Sequence, residues 1–127
     1  PGMEPFQRSL IDQVGKRERV EGEGYVMTPT TRRRLPIESG KGYKAVNYVI
    51  QSSAADIFKK NLVKIDAAGL GEYMLVPVHD EIVLDVPVDM VTEVQSVVKE
   101  CMTTTEGWAV PLTGDISNAT DRWGDRY

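Results

Sequence analysis

The chain has 127 residues, 41% of them hydrophobic and 27% charged, with a net charge of -4, one cysteine and one histidine. That is enough to bury one modest core and too little to suggest two domains, and no apolar run approaches the roughly 18 residues a membrane helix needs. Cys101 cannot form an internal disulfide, and the N-terminus lacks the basic and apolar regions of a secretory signal, which together predict a reducing, cytoplasmic setting. The first residue is Pro1 rather than Met, so a fragment or a processed or recombinant chain is expected.

The charge is unevenly spread. Residues 1 to 44 hold nine Lys or Arg against six Asp or Glu, and residues 45 to 127 hold six against thirteen. A basic segment beside an acidic one suits a protein that holds a polyanion with one surface and uses carboxylates at another; ordinary surface variation gives the same totals.

Phe6, Leu10, Ile11 and Val14 recur at helical spacing and predict a helix near residues 4 to 19. Gly22 and Gly24 break it, and Tyr25 to Met27 form a short extended piece. The stretch "TPTTRRRLPIESGKG" reads as a long loop carrying Arg32, Arg33 and Arg34. From Tyr43 to Ala68 the spacing of Val46, Val49, Ile50, Ala54, Ile57, Phe58, Leu62 and Ile65 predicts a long helix ending near Gly69 and Gly71. A helical wheel over this segment puts Asn47 and Gln51 inside the apolar arc, where two amides need partners in neighbouring backbone or in a ligand.

Strands are expected at Tyr73 to Val78 and Ile82 to Val86, with His79, Asp80 and Glu81 in the turn. A helix from Val88 to Thr103 with Val91, Val94, Val97 and Val98 inward, then a strand from Ala109 to about Ile116, complete the order. The fold class this implies is α+β with an antiparallel sheet in a single domain over 1–127, closed by a polar tail without a clear element.

Several chemistries are excluded by spacing. In "ESGKG" a phosphate-binding loop would need Gly where Leu35 stands and Ser or Thr where Gly42 stands. A single His and a single Cys rule out zinc sites that need two or more of either, and no Gly-x-Ser-x-Gly elbow accompanies His79. What remains is "VPVHDEIVLDVP", two apolar runs around an imidazole and two carboxylates. Such a tip is either a solvated turn or a seat for Mg²⁺, which takes one or two protein carboxylates beside substrate phosphates.

Taken together, "PVHDEIVLDVP", "GYVMTPTTRRRLP", "NYVIQSSAAD" and "VPLTGDI" with Trp123 resemble, in the expected order, segments of the family A (DNA polymerase I type) DNA polymerases, the first being their motif C. The resemblance implies the C-terminal part of a polymerase palm with an adjoining fingers-side helix near 4–19: a motif C hairpin packed on a long helix within an incomplete polymerase domain. It implies that Asp80 binds the catalytic divalent metal, that Glu81 is its acidic neighbour and that His79 approaches the primer terminus. It makes Asn47 and Gln51 contacts to primer-template DNA, and Arg32, Arg33 and Arg34 sequence-independent contacts to phosphate.

The implied reaction is DNA-directed addition of deoxynucleotides to a primer 3′-hydroxyl in replication or repair, with two Mg²⁺ ions about 4 Å apart. Primer-template DNA, deoxynucleoside triphosphates and an upstream segment bearing a second aspartate and a fingers helix are the implied partners; without that segment the chain is expected to be inactive. Pro77 stands where the family usually has Gln, Ser52 and Ser53 where Gly-Thr is common, and Thr31 where a Gly precedes the arginines, which leans toward a phage-like member. The alternatives are a non-catalytic DNA-binding or subunit-interface module, such as a split polymerase piece, and an unrelated metal-dependent hydrolase drawing on Asp85 and Asp115.

Overall fold

A computed structural model describes residues 2–105 and 107–126; Pro1, Glu106 and Tyr127, which the single-domain span of 1–127 includes, lie outside the described residues. The architecture is α+β, with three α-helices and two separate two-stranded antiparallel sheets among the described residues. The chain forms two compact units, Pro1–Asp56 and Ile57–Tyr127.

In the first unit, helix α1 spans Met3–Glu21, slightly longer than the spacing predicts. It stops at Gly22, whose φ of 78° is left-handed and whose N–H donates to the Glu18 carbonyl, a conformation that costs a residue with a Cβ. Strand β1 (Gly24–Met27) pairs with β2 (Arg34–Ile37) in the register Gly24 with Ile37 through Met27 with Arg34. β2 lies in the stretch read from sequence as loop. Its four residues are too few to show a period, and Pro36 argues against a strand unless the edge is open, as it is in a two-stranded sheet. Val14 of α1, Val26, Ile37 and Ala45 and Val49 of helix α2 (Ala45–Ile65) form the core of this unit.

That core corrects one expectation. Ala45, Val49, Ser53 and Asp56 are the buried positions of α2 here, at steps of three and four, and Asn47 and Gln51 are exposed. Further along, in the second unit, the same helix buries Asn61 and Ile65, which fall on a different arc. A wheel drawn over the whole helix blends two buried arcs into one and places the two amides inside it.

In the second unit α2 gives way to a π-type turn, Asp66–Leu70, in which Gly69 has φ 82° and ends the helix as the glycines imply. A hairpin follows, β3 (Met74–Val78) with β4 (Glu81–Leu84), and then helix α3 (Val91–Met102) after a short 3₁₀ turn. Ile65, Leu70, Val94 and Val98 make the core, with Met74, Ile82 and Leu84 of the hairpin packed against it. Buried Asn61 donates to the Met102 carbonyl at 3.3 Å and accepts from Thr104 Oγ1 at 3.3 Å, which satisfies its amide within the unit.

The strand expected over Ala109 to Ile116 does not form. Thr104 and Leu112 make an isolated antiparallel bridge, with N–O distances of 2.8 and 2.9 Å. Gly107 at φ 78° reverses the chain before it, and Pro111 lacks the N–H a continuing ladder would use. No described helix is long and apolar enough to cross a membrane.

Candidate active site

The hairpin is tighter than its sequence implies. Val78 pairs with Glu81, so only His79 and Asp80 form the loop and Glu81 is the first residue of β4. A two-residue loop must reverse the chain with a positive φ, and His79 takes it at 56°. Gly is the usual occupant of such a position; a non-glycine there carries a cost of order 1 kcal/mol or more that the surrounding ladder must cover. His79 and Asp80 are exposed, and neither makes a hydrogen bond or ion pair among the described residues. Asp80 therefore offers its carboxylate outward from a short, paired stem.

Pro77 fits this stem. The pair that flanks a two-residue loop is the hydrogen-bonded one, so the next pair, Pro77 with Ile82, is non-hydrogen-bonded and an N–H at 77 would point to the open edge. A register shift between Met74 and Val76 lies further down the same strand.

Among the described residues no group of three or more His, Cys, Asp or Glu side chains could hold a metal ion together. The donors at the tip suit Mg²⁺, which accepts one or two protein carboxylates and keeps other positions for water and phosphate oxygens.

In the first unit the three arginines lie in or beside the loop Thr28–Arg33 that joins β1 to β2, and they are not equivalent. Arg33 Nη2 donates to Asp56 Oδ1 at 2.8 Å, and Thr30 and Thr31 donate their hydroxyls to Asp56 Oδ2 at 3.1 and 2.5 Å. Thr31 spends its one proton on that carboxylate, so at the 2.8 Å contact between Thr28 and Thr31 it is Thr28 that donates. Thr28 Oγ1 in turn accepts from the Arg33 N–H at 3.1 Å. The Thr31 hydroxyl above all, with Thr28 behind it, then Thr30 and the Arg33 guanidinium, hold the Asp56 carboxyl down at about 2, against the upward push of burial.

Arg34 pairs with Glu23 at 2.9 Å and lies 3.7 Å from the centre of the Tyr25 ring, over which Arg17 is also placed at 4.4 Å. Arg32, exposed and at φ 60°, has no carboxylate partner among the described residues. Asn47 and Gln51 are one turn apart on the exposed side of α2, and neither makes a side-chain hydrogen bond. Asp56 was missed from sequence. Its signal was available, since Val49, Ser53 and Asp56 follow Ala45 at helical steps that place a carboxylate on a buried face, where it must find donors.

The family model described as DNA polymerase family A matches residues 8–125, and the chain belongs to that family. It is 37% identical over 87 residues to a DNA polymerase of Mycobacterium phage L5, covering 68% of this chain and 13% of the relative. It is 36% identical over 124 residues to DNA polymerase I of Streptococcus pneumoniae TIGR4, covering 87% of this chain and 14% of that protein. A thermostable DNA polymerase I of Thermus filiformis is 32% identical over 128 residues, covering 92% and 15% respectively. The chain thus spans roughly one-seventh of the length of these curated relatives. No solved structure matches it at the same level of significance.

Proposed function

We propose that this chain is the C-terminal part of a polymerase palm and contributes Asp80 to the metal-binding centre of a DNA-directed DNA polymerase. The observation that carries the reading is the His79-Asp80 loop: in a family A chain, a strained two-residue tip holds one unpartnered carboxylate clear of the fold.

In the reaction so assigned, the primer 3′-hydroxyl oxygen attacks the α-phosphorus of a deoxynucleoside triphosphate. A new P–O bond forms, the α–β bridging P–O bond breaks, pyrophosphate leaves and the hydroxyl proton passes to water. Divalent ions, when bound, stabilise the attacking and departing oxygens of such an in-line displacement. Asp80 is the ligand this chain offers them, and Glu81 adds negative charge beside it. His79 presents its ring toward the primer terminus. Asn47 and Gln51 offer amides to primer-template DNA from the exposed side of α2, and Arg32 offers a guanidinium to the phosphate backbone. The remaining carboxylate ligand and the grip on the nucleotide come from a segment outside these 127 residues, so the isolated chain does not extend a primer.

The test joins the chain to the upstream part of the polymerase domain of a family A relative and measures primer extension. Extension by the joined protein, none by the 127-residue chain, and loss of extension with Asp80→Ala support the reading. Extension by the isolated chain would sink the claim that its site is partial.

A further inference from the structure

Asp56 has no part in the proposed catalysis, although three side chains donate to its carboxylate. It lies on the buried face of α2 and accepts from Thr30, Thr31 and Arg33 in a loop more than twenty positions earlier in the sequence. Backbone bonds close the same loop: Thr28 N–H to the Arg33 carbonyl and Arg32 N–H to the Thr28 carbonyl, both at 3.0 Å. Arg32 sits in that closed loop with a left-handed φ of 60°, a conformation a long side chain keeps only where its surroundings hold it.

Charge pairing then separates the three arginines. The Arg33 guanidinium is tied to Asp56 and that of Arg34 to Glu23, whereas Arg32 lines a shallow concavity with Arg17, Gln13 and Thr28. A phosphodiester is a singly charged group with two free oxygens, and a guanidinium not already neutralised by a carboxylate is the natural donor to it.

We propose that Asp56 is a positioning residue for binding of the nucleic-acid backbone: through Thr30, Thr31 and Arg33 it locks the β1–β2 loop so that Arg32 is the loop arginine presented to phosphate. The inference rests on the DNA-binding part of the function proposed above. It assigns Arg33 to the lock and Arg34 to its carboxylate and aromatic partners, which divides work that the run of three arginines suggests is shared.

The experiment measures binding of a labelled primer-template duplex to the 127-residue chain by fluorescence anisotropy between 50 and 200 mM salt. Arg32→Ala lowers the slope of log affinity against log salt by about 0.9, so the ratio of wild-type to variant affinity falls about 3.5-fold across that range. Arg34→Ala leaves the slope unchanged. Asp56→Asn shifts the slope toward that of Arg32→Ala, and in the Arg32→Ala background it adds nothing. Independent, multiplying effects of the two substitutions overturn the positioning role while leaving the DNA-binding reading intact; a wild-type chain that binds no duplex at 50 mM salt overturns both.

Limited trypsin digestion separates loop opening from unfolding. Asp56→Asn and the milder Thr31→Ala should each speed cleavage at Arg32, Arg33 and Arg34 without speeding it at Lys59 and Lys60. Equal acceleration at all five sites in both variants overturns the lock.

Discussion

Thr31 Oγ1 donates to Asp56 Oδ2 at 2.5 Å, joining a loop residue to a helix residue twenty-five positions on. A glycine at position 31 could not make this bond. The hydroxyl is also the largest contribution holding the Asp56 carboxyl at about 2, below its ordinary value of 3.8.

That depression sets a pH dependence. A carboxyl whose folded value lies below its unfolded one stabilises fully above the unfolded value and loses the contribution as pH falls through the folded one. The wild-type urea midpoint should therefore drop between about pH 4 and pH 2 more steeply than that of Asp56→Asn, and the variant should be about 1–3 kcal/mol less stable at pH 7. Parallel midpoint curves for the two proteins would contradict this.

Gly69 has φ 82° with open space where a Cβ would stand, so Gly69→Ala adds backbone strain and no clash. It should cost about 1 kcal/mol in urea unfolding, with an unchanged slope against denaturant. A neutral or stabilising result would mean the chain does not reverse at that residue.

His79 gives the opposite sign. Replacing a left-handed non-glycine residue by Gly relieves strain, so His79→Gly should raise stability by about 1 kcal/mol, and His79→Val should lower it by at least as much. If the joined polymerase loses primer extension with His79→Gly while the variant is more stable, the strain serves function. Unchanged extension would remove His79 from the site.

Apolar surface remains open in each unit: Phe6 and Ile50 in the first, and Leu75, Val76 and Val88 in the second, are all exposed. The weight-average sedimentation coefficient of the chain should rise with concentration in the micromolar range. A concentration-independent monomer value would show that these side chains do not drive association.

How far the sequence could be read followed the strength of local signals. Both long helices and the hairpin were legible because their apolar spacing runs over many residues or ends in turn chemistry as sharp as His79-Asp80. Strand β2 was not, because Arg34 to Ile37 is too short for a period and contains Pro36. The last strand failed for a converse reason: Ala109 to Ile116 is apolar enough to suggest one, but Gly107 and Pro111 interrupt the ladder after a single bridge. Asn47 and Gln51 were misplaced because α2 changes its buried face along its length. The lock at Asp56 depends on pairing across more than twenty residues, which no local pattern encodes.

Asp80 is proposed as the metal-binding carboxylate of a polymerase site completed by a segment outside these 127 residues. The most direct test of this role is primer extension by the chain joined to that segment, compared between wild type and Asp80→Ala under saturating Mg²⁺ and nucleotide. Wild type should extend the primer and Asp80→Ala should lose at least about 100-fold of that activity, with the fold intact by circular dichroism. Extension by Asp80→Ala at the wild-type rate would contradict it.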